Sequence, residues 1–307
     1  MSGGRAFDST RIPTMKHSAL LLALAALPLG AVAQQTTFTS AGDTFAWSAN
    51  AGWLDFAPQR PSPGDGVRVG DACLAGYAWS ANTGWINFGD GTPANGIHYL
   101  NDTGADSGVN HDGGGNLSGL AWSANLGWIN FGWAEPGDSN RPRFDLATGN
   151  FAGYAWSANT GWINLASGLL RTVTIAITDT DHDGISDAWE LFWVQSLTPF
   201  TGISDYDSDG LTDKQEYWLD SNPLVPNAPL RITRISKVPN TSAVELEWPS
   251  SPARIYGIEA KPDVTTTNWV ILGDVPGSAG TNTVQAIEAG GQPKAFFRVG
   301  SKIPLQP

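Results

Sequence analysis

The chain has a single cysteine, Cys73, among 307 residues. No disulfide can close within it, so packing and any bound ions must hold the fold. Cys73 itself reads as a small, half-buried strand residue. Basic residues are also scarce: 17 Lys and Arg face 29 Asp and Glu, a net charge of −12. No basic stripe is available to meet phosphate, which argues against nucleic-acid binding. Histidine is limited to four residues. His17 lies near the N-terminus and His182 inside an acidic loop, which leaves His98 and His111 for acid–base work.

Long apolar runs are missing too. The apolar stretch from Ser18 to Gly30 is too short to span a bilayer, and no later run is longer. It follows Met15-Lys16-His17 and precedes Ala31-Val32-Ala33, the small-x-small form of a signal-peptidase site. Residues 1–33 are therefore expected to be a signal peptide cut near Ala33/Gln34, with Met15 as the expected true start. The mature protein is expected to be secreted, or held at the cell surface or in the periplasm. Losing Arg5, Arg11, Lys16 and Asp8 would take its net charge to −14.

That charge is concentrated. Between Asp179 and Asp220 stand eleven acids and one lysine, a net −10. Within this stretch one pattern occurs twice, 26 residues apart: Asp179-x-Asp181-x-Asp183-Gly184-x5-Glu190 and Asp205-x-Asp207-x-Asp209-Gly210-x5-Glu216. Asp187 and Asp213 stand at the ninth position of each. So many like charges in twelve residues repel one another unless a cation sits among them. Calcium takes six to eight oxygens, and the spacing offers them at positions 1, 3, 5, 7 (a carbonyl), 9 and 12. Gly184 and Gly210 fall at position 6, where the loop turns sharply. Two Ca²⁺ ions are expected, and they would reduce the charge of the segment to −6. The plainer alternative is a solvated acidic linker.

The first half is a repeat. Phe45-Ala-Trp-Ser-Ala-Asn-Ala-Gly-Trp-Leu-Asp-Phe56 recurs with small changes at 77–88, 120–131 and 154–165, its first tryptophans 32, 43 and 34 residues apart. Self-similarity on this scale marks a repeat architecture. Eight of the fourteen tryptophans lie in these segments. Each segment reads as a β-hairpin around a four-residue loop such as Ala81-Asn82-Thr83-Gly84, which sets Ser80 opposite Trp85 and Trp79 opposite Ile86. A short upstream strand, as at 66–69 or 142–145, makes each unit a three-stranded meander. The fold class expected is mainly β: four such meanders in a propeller-like or stacked array over 34–170, with 89–107 as a surface excursion.

On this register Trp53, Trp85, Trp128 and Trp162 share a face with Ala and Ser. They either pack against the next unit or stand exposed as stacking platforms for sugars. The partners expected are thus an extracellular polysaccharide or another surface protein, with no nucleic acid and no membrane span.

Beyond the loops, the phrasing Asp-Gly-Ile-Ser-Asp-Ala-Trp-Glu and Asp-Gly-Leu-Thr-Asp-Lys-Gln-Glu, with Asp220-Ser-Asn-Pro223 after it, resembles the bacterial thrombospondin type 3 repeat over 179–223. In that family such repeats are calcium-binding spacers of secreted or surface proteins. The resemblance implies as ligands Asp179, Asp181, Asp183, the Ile185 carbonyl, Asp187 and Glu190, then Asp205, Asp207, Asp209, the Leu211 carbonyl, Asp213 and Glu216. Each loop is expected to run into a short helix, at 186–195 and 212–219. Trp189, Leu191, Phe192, Trp193, Tyr217 and Trp218 make those helices too apolar for a free spacer, so they should pack inward or offer a docking surface.

Prolines 223, 226 and 229 mark a linker over 224–230. Six alternating runs then suggest a small β-sandwich over 231–301, similar to a fibronectin-like module. The sequence has no His-Glu-x-x-His, no Gly-x-Ser-x-Gly and no phosphate-cradling glycine loop, and the chain is read as a non-enzyme. Two enzymatic alternatives stay open: paired carboxylates acting on a glycan, and a second metal or acid–base cluster where His98 and His111 approach Asp102, Asp106 and Asp112. The function expected is a secreted calcium-binding surface or matrix protein whose repeat domain is an interaction or adhesion scaffold. The alternative is a lectin-like module.

Overall fold

The computed structural model describes residues 35–40, 42–58, 66–226, 230–278, 280, 282–288 and 295–306. The expected signal peptide, its cleavage site at Ala33/Gln34 and residues 227–229 of the proline linker lie outside these. Gln34–Pro307 forms one unit.

The protein is mainly β, with two helices among the described residues. The described residues of the first region form thirteen strands: β1 Phe45–Ser48, β2 Gly52–Asp55, β3 Arg68–Val69, β4 Leu74–Ala75, β5 Tyr77–Ser80, β6 Gly84–Asn87, β7 Val109–His111, β8 Leu117–Ser123, β9 Gly127–Asn130, β10 Arg143–Phe144, β11 Phe151–Ala152, β12 Tyr154–Ser157 and β13 Gly161–Asn164. The four repeats supply the hairpins β1–β2, β5–β6, β8–β9 and β12–β13. They do not build four separate sheets. Their edges join in the order β6-β5-β2-β1-β13-β12-β9-β8, and β8 pairs back with β6 to close an eight-stranded barrel. Closure removes the exposed edges that four small sheets would have carried.

The register differs by one residue from the sequence expectation. Ser80 pairs with Gly84, Trp79 with Trp85, and Ala78 with Ile86; the other three hairpins repeat this alignment. The cause is the glycine. Gly52, Gly84, Gly127 and Gly161 adopt positive φ (67° to 77°) as the first residue of the returning strand, which leaves a three-residue loop. A slip of one residue exchanges the faces of a strand. Ala46, Ala78, Ala121 and Ala155 therefore point inward with Leu54, Ile86, Ile129 and Ile163, all at 2% exposure or less. Small residues on one strand facing aliphatic ones on the next fill a narrow barrel. Ser48, Ser80, Ser123 and Ser157 are buried toward the hairpin tips. Tryptophans of both strands face outward, and the packing of one unit's indoles on its neighbour's Ala and Ser does not occur.

Two further repeat positions are explained by hydrogen bonds. At each tip, the asparagine side chain donates to a neighbouring tip's carbonyl: Asn50 to Thr160, Asn82 to Ala51, Asn125 to Thr83 and Asn159 to Leu126, at 2.9–3.2 Å. The four bonds make a closed ring around the barrel mouth. At the other end, Oδ1 of Asp55, Asn87, Asn130 and Asn164 accepts the backbone N–H two residues on. Asp serves as well as Asn there because only an acceptor oxygen is used.

Below the barrel, Gly76, Gly119 and Gly153 bend the first strand of three repeats at φ of 80–90°. A Cβ at Gly76 would lie 2.1 Å from the Gly66 oxygen, and one at Gly153 2.1 Å from the Arg141 oxygen. The bends carry the chain into the short ladders β3–β4, β7–β8 and β10–β11, so three repeats have the expected third strand. A layer of Phe38, Phe56, Phe88, Phe131, Phe144 and Phe151 closes this end. The 89–107 segment is anchored, not a free excursion. Tyr99 is buried, and its hydroxyl accepts from the Gly91 amide.

Helices α1 (Asp187–Val194) and α2 (Asp213–Leu219) begin where expected, capped by Ser186 and Thr212. Ile185, Trp189, Phe200 and Tyr217 form the core of this segment, while Phe192 and Trp218 stay exposed. The last region has β14 Arg234–Lys237, β15 Ala243–Pro249, β16 Ile255–Lys261, β17 Val270–Pro276, β18 Asn282–Glu288 and β19 Phe296–Lys302. They form two three-stranded sheets, β14-β15-β18 and β17-β16-β19, around Leu246, Trp248, Tyr256 and Ile258.

Candidate metal centre

The two acidic loops share one backbone conformation. Position 4 has positive φ in both (His182 64°, Ser208 62°), as does position 6 (Gly184 90°, Gly210 96°). Amides turn inward to hold the carboxylates: Gly184 N–H donates to Asp179 and Ile185 N–H to Asp183, matched by Gly210 to Asp205 and Leu211 to Asp209. One oxygen from each of Asp179, Asp181 and Asp183 comes within 4.8 Å of the others, and Asp205, Asp207 and Asp209 converge likewise. Oxygens around a Ca²⁺ sit about 2.3–2.6 Å from it, so ligands on opposite sides lie about 5 Å apart. The clusters have the size of that coordination shell.

The glutamates at position 12 are the decisive members. Glu190 and Glu216 reach in from the first turns of α1 and α2 and are wholly buried. Among the described residues both oxygens of Glu190 lack a hydrogen-bond partner, as do Asp179 Oδ1, Asp183 Oδ2, Asp207 Oδ2 and Glu216 Oε2. A buried carboxylate without donors is strongly unfavourable. Burial, followed by Asp183, Asp181, Asp187 and Asp179, pushes the Glu190 carboxyl up to about 8. Burial and the neighbouring Asp207, Asp209 and Asp213 push Glu216 up to about 7, against the Ser221 hydrogen bond that lowers it. Asp183 and Asp207 are raised by burial and by the carboxylates beside them. A dication in each loop would reverse every one of these penalties. The residues fit a hard, oxygen-seeking divalent ion.

Asp187 and Asp213 are placed differently from the others. Asp187 accepts from the Thr180 amide and hydroxyl, and Asp213 from the Tyr206 amide and the Ser204 hydroxyl. Both oxygens of each tie the start of its loop to the helix. Lys214 Nζ donates to the Asp183 carbonyl at 3.0 Å, linking the two loops.

Three contacts that fix this segment escape sequence reasoning because they join distant parts of the chain. Asp71, below the barrel, accepts from the Ser186 cap of α1 and has its carboxyl raised by burial. Arg254, buried in the C-terminal module, donates to the Tyr217 and Trp218 carbonyls at the end of α2 and pairs with Asp220 at 3.7 Å. Ser301 also donates to the Trp218 carbonyl. The acidic-loop segment is thereby fastened both to the repeat region and to the C-terminal strands.

The second acid–base cluster does not assemble. His111 is buried against Phe144, bonded to the Gly70 carbonyl, and held down at about 4 by burial. Asp106 accepts from the Ala94 and Leu100 amides, and Asp112 from those of Gly114 and Asn116. These are structural bonds of a folded loop.

The repeat tryptophans form the other prominent surface. Trp53, Trp128 and Trp162 stand on the outside of the barrel with Trp47, Trp79, Trp122 and Trp156, each 37–50% exposed; Trp85 is half-buried among them. Ser48, Ser80, Ser123 and Ser157 point the other way, so they give no hydroxyl to a ligand on this face. No family model, characterised protein or solved structure matches the chain.

Proposed function

We propose that the mature chain is an exported calcium-binding adhesion or matrix protein, in which two Ca²⁺ ions stiffen a segment that joins the barrel to the C-terminal sandwich. The observation that carries this reading is the set of buried, donor-less carboxylate oxygens on Glu190, Glu216, Asp179, Asp183 and Asp207. The resemblance of 179–223 to a thrombospondin type 3 repeat supports the same ion. The barrel serves as the interaction scaffold, toward a polysaccharide or another surface protein.

Outward placement of the tryptophans favours the lectin-like form of this reading. Eight indoles on one barrel are far more apolar surface than a monomer leaves to water without use. Limited proteolysis with and without chelator tests the calcium-dependent scaffold. Chelation should open 179–223 to cleavage while the barrel stays intact; equal resistance in both conditions would refute it.

A further inference from the structure

From the register of the barrel we infer that it is a four-sited binder of neutral polysaccharide, with one indole-pair platform on each hairpin. The inference rests on the lectin-like reading above and adds to it the valency and the charge of the ligand.

Each hairpin sets its two tryptophans directly opposite one another: Trp47 and Trp53, Trp79 and Trp85, Trp122 and Trp128, Trp156 and Trp162. Ring centres are 4.6 Å apart in the second pair and 4.8 Å in the third. Trp133 lies against Trp162 at 4.7 Å and enlarges the fourth. Between hairpins, the register puts Asn164 beside Trp47, Asn87 beside Trp122 and Asn130 beside Trp156, with Asp55 beside Trp79. The Oδ1 of each is engaged by the turn that follows it, which leaves the amide nitrogen of the three asparagines to meet a hydroxyl.

The shape of the surface selects the partner. A closed sheet has no edge to which a peptide strand can add, and a convex one has no groove for a helix. Four hairpins around one ring face four directions, so a flat membrane would touch one quarter of them at a time. Residues 34–178 carry five arginines, no lysine and eleven carboxylates, a net charge of −6. That charge repels nucleic acids, acidic glycans and anionic lipid. A thin, uncharged polymer with apolar ring faces and hydroxyl edges meets each platform separately. Four such sites on one rigid body then give avidity and cross-linking.

The test uses the mature chain in saturating calcium, titrated with soluble hexasaccharides of neutral β-glucan, xylan, mannan and chitin. Indole fluorescence and calorimetric stoichiometry are followed. One of the four should quench fluorescence with about four sites per chain, and its parent polymer should give a turbid, cross-linked mixture. W122A/W128A and W79A/W85A should each lower the stoichiometry by one, with a cooperative melting transition retained. A stoichiometry of one, with no turbidity from the parent polymer, overturns the four-site inference while the lectin-like reading stands. Silence toward all four oligosaccharides and their polymers overturns both. The turbidity assay needs no variant, so a misfolded mutant does not rescue the inference.

Discussion

The ring of asparagines at the barrel mouth predicts an unequal response to four equivalent substitutions. Two of the receiving carbonyls have a second donor: Ser80 Oγ bonds the Ala51 oxygen at 2.8 Å, and Ser157 Oγ bonds the Leu126 oxygen at 3.0 Å. The Thr83 and Thr160 carbonyls have Asn125 and Asn50 as their donors among the described residues. Removing Asn82 or Asn159 therefore deletes one hydrogen bond, a loss of about 1 kcal/mol, and leaves the carbonyl satisfied. Removing Asn50 or Asn125 also strands a carbonyl beside a buried threonine, for about 2–3 kcal/mol in all. Melting shifts should be about 2–4 °C for N82A and N159A and roughly twice that for N50A and N125A. Thermal melts of the mature chain in millimolar calcium, followed by tryptophan fluorescence, would show the split. In an S80A/N82A cycle the double loss should exceed the sum of the single ones, because the second substitution strands the shared carbonyl. Four equal shifts, or an additive cycle, would refute a hydrogen-bonded ring as the closing device.

Three more outcomes follow from the loops and their docking. E190Q should weaken calcium binding by at least tenfold, about 1.4 kcal/mol, because a neutral amide replaces a charged ligand; an unchanged titration would remove Glu190 from the ligand set. Without calcium, stability should fall as pH rises from about 4.5 to 8, because the native Glu190 and Glu216 hold protons that the unfolded chain has released. Calcium should abolish that slope, and melting curves at pH 5 and 8.5, with and without chelator, decide it. R254M removes the donor to the end of α2 and should cost about 2 kcal/mol, separating the unfolding of the C-terminal sandwich from the rest; one unshifted cooperative transition would contradict this.

The parts legible in sequence are those set by neighbours along the chain. The twin loops and both helices depend on spacing within a dozen residues, and their structure follows the pattern. All six C-terminal strands lie within a few residues of where alternation places them. The hairpins were legible as hairpins but not in register, because Gly84 could end the turn or begin the strand. That single residue decides whether Trp85 faces Ser80 or stands outside beside Trp79. Barrel closure depends on pairing β6 with β8 and β1 with β13, which no local signal records. Asp71 meeting Ser186 across 115 residues, and Arg254 meeting α2, belong to the same class. His111 looks like an acid–base candidate in sequence, and burial makes it a neutral strut.

Calorimetric titration of the chelator-treated mature chain with Ca²⁺ tests the twin loops most directly. Two ions should bind per chain, with dissociation constants on the order of 10⁻⁴ to 10⁻³ M as in extracellular modules, and D181A/D207A should abolish the heat and the accompanying rise in melting temperature. No calcium uptake by the wild-type chain, or full uptake by the double variant, would contradict the assignment.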